Sequence, residues 1–140
     1  MPTTDTFAQK EEAMVRVEEL MTTDIASVDY CQKALQAVTI MKVRKIGSVF
    51  VTQNGFIVGI VTESDIVRKL VGGLLSPEMT PVQAIMSSPV HCLDENSSLF
   101  EAADFMQRYG IRHVGITRAE DIVGVLSARD LLHPVAMDEF

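Results

Sequence analysis

The amino-acid sequence predicts an α+β fold made of two similar halves. The heptapeptide GIVTESD at residues 59–65 returns as GVLSARD at residues 124–130, which is 65 residues further along the chain. The same shift aligns residues 17–68 with residues 82–133 without a gap. Within each half, apolar runs and helical apolar spacing follow the order strand, helix, strand, strand, helix. Because chance would not keep one register through strands, helices and loops, we interpret the halves as an internal duplication.

Length and composition indicate a soluble globular protein. A chain of 140 residues is long enough for one compact domain or for two small halves that share a core. Its content of 47% hydrophobic and 22% charged residues is typical of globular proteins. No stretch approaches the roughly 20 apolar residues that cross a bilayer, and the N-terminal MPTTD lacks the basic and apolar regions of a signal peptide. We therefore expect a cytoplasmic protein without a membrane partner.

Charge and cysteine content narrow the partners further. The net charge of −7 argues against nucleic acid as the main partner, because binding to its backbone needs clustered Lys and Arg. An acidic protein can still hold a small anion in a locally basic pocket. Cys31 and Cys92 fall at non-equivalent positions of the two halves. We expect both thiols to stay reduced, in keeping with a cytosolic protein.

The first half comprises residues 15–71 and follows an N-terminal tail at residues 1–14. Asn54 and Gly55 supply the left-handed residues of a tight turn between its second and third strands. The third strand is nearly all apolar, which suits a central strand covered on both faces. The three predicted strands are residues 25–28, 47–51 and 56–61.

Two helices complete the first half. Asp29 is predicted to begin the first, and Thr62 is predicted to cap the second, over residues 63–70. The linker at residues 72–81 contains two prolines, which discourage a continuous helix. The first helix has apolar residues at i, i+3, i+4 and i+7 that predict one buried stripe. The residues of this stripe are Ala34, Leu35, Ala37, Val38, Ile40 and Met41.

The second half, residues 82–134, repeats this order and is followed by a C-terminal tail at residues 135–140. The sequence RAED at residues 118–121 replaces the Asn-Gly turn of the first half, so we expect a looser connection there. The predicted strands are residues 90–93, 113–117 and 122–126, and the predicted helices are residues 98–109 and a segment that begins at Ala128. The apolar stripe of the first of these helices is Leu99, Ala102, Ala103, Phe105 and Met106.

The element order, with Met-Thr before the first strand and Gly-x-x-Thr/Ser-x-x-Asp after the last, resembles the cystathionine β-synthase (CBS) domain. The pair is similar to a tandem CBS module, or Bateman module, over about residues 15–134. This resemblance implies two β-α-β-β-α repeats related by pseudo-twofold symmetry, with their sheets packed together. It also implies two clefts between the repeats that commonly hold adenosine-containing ligands, and a homodimer. It leaves no room for a fused catalytic domain.

The duplicated hydroxyl and carboxylate groups have two interpretations. Thr62 and Asp65 stand at the start of one helix, and Ser127 and Asp130 stand at the matching positions of the other half. This spacing is that of a capping box. A carboxylate at a helix start can also accept hydrogen bonds from vicinal ribose hydroxyls, while backbone N–H groups and the hydroxyl face a phosphate. The resemblance implies these ligand contacts, which are compatible with capping.

The resemblance further implies that each motif meets the first strand and the start of the second strand of the other half. Backbone groups there would read the adenine while apolar side chains cover its faces, although a plain core role explains the apolar residues equally well. The residues implied beside Ser127 and Asp130 are Ile25, Ala26, Ile46 and Gly47. Those implied beside Thr62 and Asp65 are Val90, His91, Ile111, Arg112 and His113.

Arg112 makes the two halves unequal, because the matching residue of the first half, Gly47, carries no charge. A guanidinium offers several donors to phosphate oxygens, so a phosphate is expected to be held better in the cleft that contains Asp65. The alternative is a surface arginine paired with a nearby acid. The family usually has proline within this strand, where the chain has Phe50 and Gly115, and this departure could favour a ligand other than AMP.

Metal and catalytic roles are not predicted. No zinc spacing relates the candidate ligands, and no Cys and His are arranged as nucleophile and base. The sequence thus favours a non-catalytic regulatory module that senses AMP, ADP, ATP or an S-adenosylmethionine-like ligand and acts on a regulated protein partner. The alternative is a structural dimerisation or adaptor protein with vestigial clefts. The metal-ligand candidates considered are His91, Cys92, His113 and His133.

Overall fold

The structure, a computed structural model, describes residues 15–132. The two predicted tails lie outside these residues, as do His133 and Pro134. The chain forms two compact units. One is residues 24–91, and the other combines residues 15–23 with residues 92–132. Both contain a three-stranded sheet and helices, which confirms the predicted α+β fold.

The unit of residues 24–91 is built on a mixed sheet. Its elements are β1 (Ser27–Asp29), α1 (Ala34–Arg44), β2 (Ser48–Gln53), β3 (Phe56–Thr62) and α2, which begins as Glu63–Asp65 and continues as the π-helical segment Ile66–Val71. Strand β1 pairs with β2 in parallel, and β2 pairs with β3 antiparallel. The central strand is therefore β2, with Val49, Phe50 and Val51 buried, and the prediction that the third strand is central was wrong.

The second unit repeats this topology. Its elements are β4 (Cys92–Asp94), α3 (Leu99–Tyr109), β5 (His113–Arg118), β6 (Asp121–Ser127) and a 3₁₀ helix at Ala128–Leu132. Strand β5 pairs with β4 in parallel and with β6 antiparallel. The side chain of Ser98 caps α3 by accepting a hydrogen bond from the backbone N–H of Glu101 at 3.0 Å, so α3 begins where its capping residue predicts.

Three predicted details of the helices were wrong. Asp29 does not begin α1, because it ends β1 and its carboxylate accepts a hydrogen bond from the backbone N–H of Cys31 at 3.0 Å, which stabilises a turn. Leu35 in α1 is 42% exposed, and Ala103 in α3 is exposed. Each lies one residue beyond a fully buried alanine, on the solvent side of a stripe narrower than predicted.

The connection between β5 and β6 is as tight as that between β2 and β3. Ala119 and Glu120 have φ angles of +49° and +73°, which match the +53° and +82° of Asn54 and Gly55. In both hairpins only two residues separate the last paired positions. The prediction of a looser connection was therefore wrong, because strand register imposes a left-handed turn on residues that do not favour it.

Replacing Ala119 with Asn and Glu120 with Gly is expected to stabilise the protein by about 1 kcal/mol, because both new residues tolerate a positive φ. Urea denaturation followed by circular dichroism measures this change. The matched control makes the reverse exchange, Asn54→Ala with Gly55→Glu, and should destabilise the protein by a similar amount. If the first exchange destabilises the chain, the turn is not strained.

The segment that begins each half of the duplication packs in the core formed mainly by the other half. Val82 and Ile85 are fully buried in the core of the unit of residues 24–91, although the sequence assigns them to the second half. Val17 is fully buried in the core that contains α3, with Leu20 and Met21 packed against it. Each compact unit is therefore completed by a segment from the other half of the duplication, residues 17–22 in one unit and residues 82–87 in the other. We call these the exchanged segments. They contain the short 3₁₀ helices Val17–Glu19 and Val82–Ala84.

Candidate functional site

Both copies of the duplicated motif form a capped junction between a strand and a helix. At the first, the side chain of Thr62 accepts a hydrogen bond from the backbone N–H of Asp65 at 3.4 Å, and the Asp65 carboxylate accepts one from the backbone N–H of Thr62 at 2.9 Å. At the second, the corresponding bonds between Ser127 and Asp130 are 3.3 Å and 2.7 Å. The capping-box interpretation is confirmed at both junctions.

In each unit, the residue just before the central strand, β2 or β5, lies beside the strand-to-helix junction of the same unit. The backbone N–H of Glu63 donates to the carbonyl of Gly47 at 3.1 Å, and that of Ala128 donates to the carbonyl of Arg112 at 2.7 Å. His113 lies opposite Ser127 in the pairing of β5 with β6. Gly47, Arg112 and His113 are thus brought to a junction. Their pairing with the motif of the other half stays a prediction.

The Asp65 carboxylate is buried and fully engaged. Only 5% of the residue is exposed. Its Oδ1 accepts hydrogen bonds from the Ser87 hydroxyl at 2.8 Å and from the Lys69 ammonium at 2.9 Å. Its Oδ2 accepts from the backbone N–H and the hydroxyl of Thr62, at 2.9 Å and 3.2 Å. Since an ionised carboxylate offers about four lone-pair positions, these contacts use them all.

The Lys69 side chain links the first junction to the exchanged segment of residues 82–87. Besides Asp65, its Nζ contacts the carbonyl oxygens of Ile85 and Met86, both at 3.3 Å, and the Ser87 hydroxyl at 3.4 Å. We call the contacts among Asp65, Lys69 and Ser87 the Lys69 clasp. This clasp was not predicted from the sequence. The i,i+4 spacing of Asp65 and Lys69 was the available signal, but Ser87 has no local relation to either.

The Asp130 carboxylate is far less occupied. It is half-buried, and its Oδ2 accepts the capping bond from the backbone N–H of Ser127. Among residues 15–132, no group donates a hydrogen bond to its Oδ1. The register of the duplication places Pro134 where the first half has Lys69, and Thr22, which is exposed, where it has Ser87. The two junctions therefore share their caps and differ in the state of the carboxylate.

The glycine of each motif lets the exchanged segment approach the strand. Thr22 and Val125 exchange two backbone hydrogen bonds of 2.9 Å and 3.0 Å. A Cβ atom on Gly124 would lie 2.9 Å from the carbonyl oxygen of Thr22 and 2.8 Å from the sulfur of Met21. The first unit repeats the arrangement, with Gly59 against Met86 and Ser87. Glycine is therefore required for packing beside each junction.

The remaining predicted residues divide into core and surface. Ala26 is buried in the core cluster of one unit and the half-buried Ile46 packs against it, while the half-buried Ile111 packs against the core cluster of the other unit. These contacts support the plain core interpretation for the three residues. Arg112 is exposed, and no acidic group in the described part of the chain forms an ion pair with it. Of the other three, Ile25 and Val90 are half-buried and His91 is exposed.

Among residues 15–132, no three His, Cys, Asp or Glu side chains lie close enough together to hold a metal ion. Burial raises the pKa of the Cys92 thiol, which disfavours the reactive thiolate. Cys31 is exposed, and neither cysteine is in a disulfide. Within the same range, no helix has the length and apolar content that crossing a membrane requires.

Comparison with known proteins places both halves in one family. The model of the CBS domain matches residues 17–72 and residues 82–136. The CBS domain-containing protein YhcV of Bacillus subtilis is 30% identical over 118 residues, which cover 84% of each chain. An uncharacterized conserved protein of Pyrococcus horikoshii has a TM-score of 0.82 at 28% identity and covers 87% of this chain and 92% of its own. A candidate signal-transduction protein with CBS domains from Burkholderia ambifaria has a TM-score of 0.79 at 28% identity over 95% of each chain.

Proposed function

Since this chain belongs to the CBS domain family and carries two copies of the domain, we propose that it is a regulatory module that binds an adenosine-containing ligand at a strand-to-helix junction. The ligand class comprises AMP, ADP, ATP and S-adenosylmethionine-like compounds. The observation that carries the proposal is the Asp130 carboxylate, which is held in place by a capping bond and has an oxygen that accepts no hydrogen bond from residues 15–132.

A carboxylate of this kind suits a ribose. Two vicinal hydroxyls can each donate a hydrogen bond to it, and bonds to an ionised acceptor are shorter and stronger than neutral ones. The capping bond from Ser127 fixes the orientation of the Asp130 side chain before a ligand arrives, which lowers the entropy lost on binding. The residues that the resemblance implies beside the adenine stay predictions.

The role proposed is regulation without catalysis. None of the three relatives described above has a name that denotes an enzyme. A bound ligand regulates only when it prefers one conformation of the protein over another, so we propose that occupancy changes the surface offered to a protein partner. The cytoplasmic location and the identity of that partner stay predictions.

Isothermal titration calorimetry with AMP, ADP, ATP, S-adenosylmethionine and NAD tests the proposal. At least one of these is expected to bind the purified full chain with a dissociation constant below about 1 mM. The control is the double variant Asp65→Asn with Asp130→Asn, which removes both charged acceptors and keeps their size. If the wild-type chain binds no ligand of the panel at millimolar concentration, the proposed function is wrong.

Arg112→Ala is expected to weaken AMP binding about tenfold and to leave adenosine binding unchanged, because a guanidinium that forms no ion pair within residues 15–132 contributes to binding only where the ligand has a phosphate. Calorimetry with the two ligands measures the difference. The matched control is Arg108→Ala, which removes an exposed arginine of the same unit that pairs with Asp104. Equal losses for AMP and adenosine would show that Arg112 acts on the fold and not on a phosphate.

We also propose that the chain forms a homodimer. Exposed apolar side chains follow one another along α2 and the segment after it, and a run of this kind commonly marks an interface. These residues are Val67, Val71, Leu74 and Met79, with exposed fractions of 64%, 65%, 94% and 73%. A structural dimerisation or adaptor protein is the second candidate function. The full engagement of Asp65 favours it.

A further inference from the structure

We infer that the two junctions have different roles: the Asp130 carboxylate binds the ribose diol, and the Asp65 carboxylate is the centre of the structural Lys69 clasp. Each chain then binds one ligand through the junction of the second half. The inference rests on the proposed function for Asp130. The assignment of Asp65 stands on its own contacts and has a readout that needs no ligand.

The Asp65 and Asp130 carboxylates differ in how many hydrogen-bond acceptor positions they leave for a ligand. The four contacts of Asp65, at 2.8 to 3.2 Å, leave no lone-pair position for a ligand hydroxyl. A diol could bind there only by displacing the Lys69 ammonium and the Ser87 hydroxyl. At Asp130 only the bond from Ser127 is present among the described residues. A diol can therefore reach Asp130 without breaking a contact within residues 15–132.

A ligand that used Asp65 would have to break the Lys69 clasp, which costs binding free energy that a ligand at Asp130 does not lose. Asp65 is buried, and removing the partner of a buried charge leaves that charge uncompensated. Lys69 would also lose a charge-assisted hydrogen bond. These losses would subtract from the affinity of any ligand that used Asp65. Asp130 is half-buried and carries no ion pair among the described residues, so the same penalty does not arise.

The sequence itself encodes the difference. Lys69 stands four residues after Asp65, and Pro134 stands four residues after Asp130. Proline has no ammonium group, so that position cannot supply the second half with a clasp. The asymmetry is therefore a property of the residue types at these positions. It does not depend on the rotamer of one lysine.

The experiment compares Asp65→Asn, Asp130→Asn and Lys69→Met in the full chain, with AMP as the probe and ATP and S-adenosylmethionine run in parallel. Calorimetry of the wild type is expected to give about one ligand per chain. Asp130→Asn should weaken binding at least tenfold and shift Tm by less than about 3 °C. Asp65→Asn and Lys69→Met should keep the dissociation constant within about threefold and lower Tm by about 5 °C or more.

Two results overturn the inference: two equivalents per chain of similar affinity, or a loss of binding in Asp65→Asn as large as that in Asp130→Asn with Tm unchanged. Should Asp65→Asn fail to fold, the stoichiometry of the wild type and the affinity of Asp130→Asn decide where the ligand binds, and the Tm of Lys69→Met decides whether the clasp stabilises the chain. If no probe binds the wild type, the proposed function fails and the role of Asp130 fails with it. The melting temperatures then still decide whether the clasp exists.

Discussion

Ile85→Ala is expected to lower the free energy of unfolding by about 3 kcal/mol. Ile85 is fully buried in the core of the unit of residues 24–91, and truncation of a buried isoleucine loses the transfer energy of its methyl and methylene groups and leaves a cavity. Urea denaturation followed by far-UV circular dichroism measures the change. This probe suits the chain, which contains no tryptophan.

The control for Ile85→Ala is Val43→Ala on the exposed side of α1. Val43 is 72% exposed, so its truncation should change stability by less than about 0.5 kcal/mol. The comparison tests the exchanged segment directly, because the duplication assigns Ile85 to the second half while the fold places it in the core of the first unit. Equal effects of the two substitutions would mean that residues 82–86 do not complete this core.

Local features of the fold were predicted well from the sequence. The capping boxes at Thr62 and Ser127 and the Asn54-Gly55 turn follow from interactions among residues at most three apart, so the residue types determine them. Ala119 and Glu120 show the limit of this approach. Nothing in their own chemistry indicates a left-handed turn. The pairing of β5 with β6 imposes one.

The candidate site was predicted only in part, for a tertiary reason. The duplication identified both carboxylates but could not show their different states, because the Lys69 clasp needs Ser87, which the fold brings in from beyond the linker. The expectation that the central strand is the most apolar one failed in a related way. Strand β3 gains its burial partly from the exchanged segment, through the two backbone bonds between Ile60 and Ser87 at 3.0 Å and 2.8 Å.

Gly124→Ala is expected to lower the free energy of unfolding by about 2 kcal/mol. The new Cβ would lie 2.9 Å from the carbonyl oxygen of Thr22, and this backbone atom can move away only if its paired bonds with Val125 lengthen. Overpacking of this kind typically costs 1–3 kcal/mol, of order a tenth or more of the stability of a small domain. Urea denaturation measures the loss, and AMP binding should weaken in parallel if the shift reaches Ser127.

Two further substitutions separate packing from backbone conformation. Gly110→Ala places a Cβ in open space at a φ of +64°, so its cost, about 1 kcal/mol, comes from the left-handed backbone alone. Gly124→Ala combined with Met21→Ala removes the contact with sulfur and leaves the contact with the Thr22 carbonyl. If Gly124→Ala costs as much in the Met21→Ala background as in the wild type, the backbone contact is the controlling one. A stability of Gly124→Ala within about 0.5 kcal/mol of the wild type would show that the exchanged segment yields easily, and the glycine of the motif would then need another explanation.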